Sequence, residues 1–245
     1  MPTLLVLSAI VLAGLSASAQ AQEVTISLGG DGGLAGGLSG RVVQLLLLLT
    51  VLSLAPGLAI MITCFPFIVT VLAILRQGIG LQQSPPNMLI VSLALFLTYY
   101  VMAPVFDEAW RMGLGPLVDE RIGVEEAFRL TLAPFRGFMA ARLDPETFMS
   151  LAQIRGDEAT TPGPEADLSL LVPAFMLSEI ERAFQIGFLI FLPFLIIDLV
   201  VAAVLMSMGM MMVPPAIVSL PFKLAFFVVA DGWTLVAGAL VRSYL

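Results

Sequence analysis

The chain has 245 residues, 59% of them hydrophobic and only 12% charged, with a formal net charge of −7. A soluble domain carries about 25% charged residues, so a fold of this size cannot hide such an apolar excess without lipid or partner subunits to cover it. The negative balance, with only ten Arg and one Lys, argues against a nucleic-acid partner. The absence of His removes the commonest general base and metal ligand, and with no nucleophile–base pair, metal cluster or phosphate loop in the sequence, no metal, cofactor or enzymatic activity is expected.

Residues 4–15 form an apolar run of twelve. That is too short to span a bilayer as a helix and suits the core of a signal peptide. Ala17-Ser18-Ala19 and Ala19-Gln20-Ala21 both fit an A-x-A cleavage site. Residues 1–21 therefore read as a signal peptide, with Ala19 or Ala21 at the cut and the mature chain beginning at Gln20 or Gln22. Met1-Pro2-Thr3 carries no Lys or Arg, which leaves an uncleaved anchor as the alternative. Residues 22–41 read as a Gly-rich linker.

A first hydrophobic helical region covers 42–106. No charge occurs from Val42 to Leu75, and one straight helix of that length would reach about 51 Å against a hydrocarbon core of about 30 Å. Pro56-Gly57 and Pro66 are expected to break it into a kinked helix or a tight hairpin. The single Cys64 reads as a small buried hydrophobe rather than a reactive thiol. Residues 76–87 form a polar turn, and Met88 to Phe106 is a second apolar segment.

Residues 107–182 hold 14 of the 18 acidic and seven of the 11 basic residues. This polar region is expected to face water. Asp144-Pro145 reads as a helix N-cap with Pro in the first turn, and 155–167 as a loop. Ser178 to Glu181 has the form of a capping box opening a helix over about 179–213, which Pro193 should bend or stop early. Pro214-Pro215 then turns the chain. Ala216 to Leu240 is the last apolar segment, so 183–245 reads as a second hydrophobic hairpin turning at 206–215. With a cleaved signal and four crossings, 76–87 and the 206–215 turn lie on the inner side and 107–182 on the outer.

Two acids lie inside apolar segments, Asp198 and Asp231. An acid at membrane depth is costly and marks a site. An intramembrane aspartyl protease would require a Gly-x-Gly-Asp pattern that is missing here. A proton or ion relay normally needs more than two stranded acids. The favoured reading is structural: an intramembrane ion pair between Asp198 and Lys223. In an antiparallel hairpin, residues at equal depth are equidistant from the turn, and the midpoint of 198 and 223 falls within Met208–Met212. The role of Asp231 stays open.

Five methionines crowd into seven residues, Met206, Met208, Met210, Met211 and Met212. They can be gap-filling core at a helix end. Their density, with Gly209 among them and Pro-Pro following, points instead to a deformable apolar constriction, a pore gasket of Met208, Met210, Met211 and Met212.

The runs ILRQGIGLQQSPPN and LALFLTYYVMAPVFD, then LLVPAFMLSEIERAFQIGFLIFLPFLIIDLVVAAVLMSMGMMMVPP and LPFKLAFFVVADGW, resemble the FliP family, the P subunit of the flagellar type III secretion export gate. The resemblance covers roughly 42–245. It departs at Phe67, where many relatives carry a basic residue. It implies an all-α membrane subunit of the bacterial inner membrane and flagellar basal body, with 107–182 periplasmic. Five copies would assemble with FliQ- and FliR-type subunits into a helically staggered cone, docked to FlhB- and FlhA-type subunits. Unfolded flagellar proteins would pass through its lumen. The same role in a virulence injectisome, or an ion-coupled transporter, are the alternatives. A transporter would be expected to show inverted repeats, and no internal similarity is visible. Hydropathy does not separate burial by lipid from burial by partners.

Overall fold

A computed structural model describes residues 59–80, 85–156, 161–210 and 212–244, with scattered positions between 42 and 57. The expected signal peptide, with Ala19 and Ala21, and the Gly-rich linker lie outside the described residues. The chain divides into two units, Met1–Thr50 and Val51–Leu245. In the first, the described residues between 42 and 50 are helical and exposed, and the Thr50 hydroxyl donates to the Leu46 carbonyl at 2.8 Å. In the second, the described residues form helices and connecting turns, without strands.

The apolar run before residue 75 breaks at 62–64. Pro66 sits in the first turn of α1 (Phe65–Ile79), where its missing N–H costs nothing. The other expected break, at Pro56-Gly57, falls largely outside the described residues. Gly80 closes α1 in the left-handed region, at φ 87°, which glycine adopts without strain. The next helix, α2 (Asn87–Ala109), runs back along α1. The Arg76 guanidinium meets the Asn87 side chain at one end, and Cys64 Sγ lies 4.0 Å from the Thr98 carbonyl at the other. Cys64 is fully buried, as befits a small hydrophobe.

The chain continues from α2 through a π-helical turn, Trp110–Leu114, into the short α3 (Gly115–Val118). The polar region then supplies α4 (Val124–Arg142) and α5 (Pro145–Arg155). Asp144 caps α5, its carboxylate accepting from the Thr147 N–H at 2.8 Å. That bond, joined by the Thr147 hydroxyl, holds the Asp144 carboxyl below its usual range.

The fourth long element departs from the sequence expectation. Helix α6 (Leu168–Ser207) starts eleven residues before 179 and runs for 40 residues. Its N-cap is Asp167, which accepts from the Ser169 N–H at 3.1 Å. Ser178 lies mid-helix, so the capping-box reading of Ser178 to Glu181 is overturned. Its hydroxyl donates to the Ala174 carbonyl at 2.7 Å and accepts from the Asp144 N–H at 2.8 Å. The serine serves the neighbouring helix start rather than its own. Pro173 and Pro193 neither stop nor break α6. Apolar helices packed on neighbours tolerate internal proline, and α2, α4 and α7 carry Pro104, Pro134 and Pro221 in the same way. Helix α6 ends at Ser207, not Val213. It is followed by α7 (Pro215–Val229) and α8 (Gly232–Arg242).

Helix α1 is the centre of the core. Phe67, Ile68, Val71, Leu72 and Leu75 are at most 1% exposed. Gly78 and Gly187 let it approach α6: a Cβ on Gly187 would fall 2.4 Å from Ile74 Cδ1, and one on Gly78 would fall 3.0 Å from the rings of Phe191 and Phe194. These contacts step by four residues on both helices, so α1 and α6 run in the same direction, through a small-residue crossing. A second cluster, around Phe148, Leu171 and Phe175, binds α4 and α5 to the start of α6.

Among the described residues, two helical stretches are long and apolar enough to cross a bilayer, Asn87–Val118 and Leu168–Ser207. The pair α7 and α8, bent by 61°, counts as a third if taken as one span. Helix α1, at 15 residues, is about 22 Å long and too short. Its apolarity is explained by burial inside the protein.

Candidate functional site

The polar centre of the second hairpin is built from α6 and α7. Asp198 stands on α6 and Lys223 on α7, with Lys223 Nζ 2.6 Å from Asp198 Oδ2. The Ser219 hydroxyl donates to Asp198 Oδ1 at 2.5 Å. The lysine makes a further bond that the sequence does not disclose: Nζ donates to the Gly78 carbonyl at 3.1 Å. Gly78 lies in the last turn of α1, whose carbonyls lack helical partners and carry the negative end of the helix dipole. One ammonium therefore joins α1, α6 and α7. Its side chain is 7% exposed while that of Asp198 is 38% exposed, so the cation is the more deeply placed partner.

Beyond this pair the hairpin closes through the methionines. Gly209 takes φ 73°, the Met210 N–H reaches back to the Leu205 carbonyl at 2.9 Å, and the Gly209 N–H reaches the Met206 carbonyl at 3.0 Å. This is a Schellman stop, which needs a residue free to adopt the left-handed region. Met208, Met210 and Met212 are 67%, 43% and 97% exposed; Met211 lies outside the described residues. Between the two limbs near the turn is an apolar groove of about 580 Å³, lined by Val200, Val204, Met208, Met210, Val218 and Phe222 among others.

Asp231 is not brought to Asp198. It sits at the elbow between α7 and α8, at φ 49°, and its carboxylate accepts from the Thr234 hydroxyl at 3.1 Å. Gly232 beside it is needed for fit, because a Cβ there would fall 2.2 Å from the Phe227 ring.

A second polar cluster escapes sequence reading. Glu179, fully buried, accepts from Arg142 Nε at 3.2 Å and from the Tyr244 hydroxyl, with Arg182 at 3.7 Å. Arg142 also donates to the Ser243 carbonyl at 2.8 Å and lies 4.1 Å over the Tyr244 ring. Burial, with the Glu179 charge alongside, pushes the Tyr244 phenol up, so it remains a protonated donor. One signal is present in the sequence: Phe175, Glu179, Ala183 and Gly187 recur every four residues, which puts the glutamate on the buried face.

Helices of membrane length and apolarity, joined by an internally paired cation, define an all-helical membrane protein. The particular family follows from comparison. Residues 48–240 match the FliP family model, and the chain belongs to that family. It is 52% identical over 240 residues to flagellar biosynthetic protein FliP of Caulobacter vibrioides, covering 98% of this chain and 89% of the relative. It is 51% identical to the Rhizobium meliloti protein of the same name, covering 86% of each. For the Bacillus subtilis FliP the identity is 49%, over 82% of this chain and 91% of the relative. This is a family of flagellar biosynthetic proteins, not of enzymes.

Proposed function

We propose that this chain is a core pore subunit of the flagellar protein-export gate. Five copies, with FliQ- and FliR-type subunits and docked to FlhB- and FlhA-type subunits, would conduct unfolded flagellar proteins across the bacterial inner membrane. Residues 107–182 would face the periplasm. The flagellar names of the relatives favour this over an injectisome. An ion-coupled transporter is disfavoured because neither stranded acid is free: Asp198 is held by Lys223 and Ser219, and Asp231 by Thr234 at an elbow.

One observation carries the reading. A gap-filling role would bury the methionines, yet Met208, Met210 and Met212 are exposed on the single chain. Such side chains, brought together from several copies, make a dry ring that offers ions no replacement for their hydration shells. Unbranched thioethers repack around a passing chain. Shortening Met210, Met211 and Met212 to Ala should leave assembly nearly intact and make the membrane leaky to small ions. If the methionines were buried filler, each substitution would instead cost about 2–5 kcal/mol of stability, without a leak. Ion conductance of assembled triple-Ala complexes decides, and a well-assembled complex that stays tight to ions would overturn the gasket.

A further inference from the structure

Helix α6 carries two acids, Glu179 and Asp198, each held by side chains of other elements, nineteen residues apart along its sequence, or about 28 Å along its axis. Each is met by the returning limb of the hairpin and by a third helix. At Asp198 the limb supplies Lys223, and α1 supplies the Gly78 carbonyl on which that lysine also rests. At Glu179 the limb supplies Tyr244, and α4 supplies Arg142, which also holds the Ser243 carbonyl. Tyr244 sits twenty-one residues after Lys223, so the two clasps keep nearly one antiparallel register along α6.

The limb between the clasps is not one rod. It bends by 61° at residues 230–231, where the polar bonds are local. The Ala230 N–H returns to Phe226, the Asp231 N–H to Val228, and the Asp231 carboxylate meets Thr234. Trp233 meets Phe227 across the elbow, with ring centroids 5.4 Å apart.

We propose that residues 232–244 are a strap, latched to the polar region through Glu179, Arg142 and Tyr244, that opens and closes independently of α7. The latch is selective in chemistry. Tyr244 donates one hydrogen bond to a fully buried carboxylate, and its ring fills the space between Phe67 and Phe138, at 5.4 and 6.0 Å. Arg142 completes it by stacking on that ring and grasping the backbone beside it. Lys223 and Asp198 contribute nothing to this latch, and Glu179 nothing to the other clasp. This strap does not depend on the export-gate reading.

The test is hydrogen exchange on the full chain in its native membrane assembly. Tyr244→Phe keeps the ring and deletes the hydroxyl. Exchange should rise about tenfold in 232–244, as for loss of one hydrogen bond to a charged group, with 215–229 and 196–207 unchanged. Asp198→Asn should raise exchange in 196–207 and 215–229 and leave 232–244 alone. Should Tyr244→Phe fail to assemble, Arg142→Lys keeps the charge beside Glu179, loses the stacking, and is judged by the same peptides. Loosening of both sets by either variant, or no loosening of 232–244 by the latch variants, overturns the strap.

Discussion

At the scale of single residues, Lys223 is a costly side chain to place, a buried cation within an apolar helix. A desolvated ammonium is tolerable only because a carboxylate and a carbonyl meet it at 2.6 and 3.1 Å. Asp198→Ala and Lys223→Ala should each impair assembly. Breaking a buried pair costs about 3–5 kcal/mol because a charge is left stranded. Lys223→Ala leaves a carboxylate that is partly exposed and falls at the low end, whereas Asp198→Ala strands the buried ammonium. The exchanged pair, Asp198→Lys with Lys223→Asp, should recover only part of the loss. A carboxylate at 223 pairs with a lysine at 198 but repels the Gly78 carbonyl that the ammonium now satisfies. The amount of assembled complex in membranes measures this, and an exchange no better than either single variant would refute it.

At the scale of elements, what could be read from sequence depended on how local the physics is. The α5 start was legible because Asp144, Pro145 and Thr147 settle it among themselves. Helix α6 was misread at its start because S-x-x-E has the same form inside a helix as at its cap. Ser178 answers to the Asp144 N–H, 34 residues away in sequence. The early stop expected at Pro193 does not occur, because proline's cost in a helix is set by the neighbours that pack on it. The caps make a prediction of their own. The Asp144 and Asp167 carboxyls both sit below their ordinary value of 3.8, each chiefly because a backbone N–H donates to it. A carboxyl depressed by folding adds stability that is present above that value and is lost as pH falls through the folded one. Exchange at 147–152 should therefore rise as pH is lowered below about 4, after correction for intrinsic rates. Asp144→Ala should remove that acid dependence and show the loosened state at neutral pH. An unchanged acid response in the variant would show that another group is responsible.

At the scale of the whole molecule, the single chain leaves a large apolar surface uncovered. Met88, Phe96, Tyr99 and Tyr100 on α2, and Phe184, Phe188, Leu195 and Leu199 on α6, are all exposed. Lipid or further subunits must cover them, and composition alone already required this. The native mass of the detergent-purified particle separates the two covers. A large hetero-oligomer is expected, and a monomer would remove the basis for the gate. The Asp198–Lys223 register was legible because a charge in an apolar helix has few acceptable partners. The Glu179 cluster was not, because Arg142 and Tyr244 lie 37 and 65 residues from it. The Gly78 carbonyl was invisible for the same reason, and it bears on how the protein is made. The ribosome delivers Gly78 first, Asp198 later and Lys223 last, 145 residues after the carbonyl it will hold. Until that lysine emerges, the end of α1 and the acid on α6 are both without their cation, and the contact between the two hydrophobic regions is unfinished. A nascent chain stalled short of residue 223 therefore displays two unanswered negative ends within apolar helices.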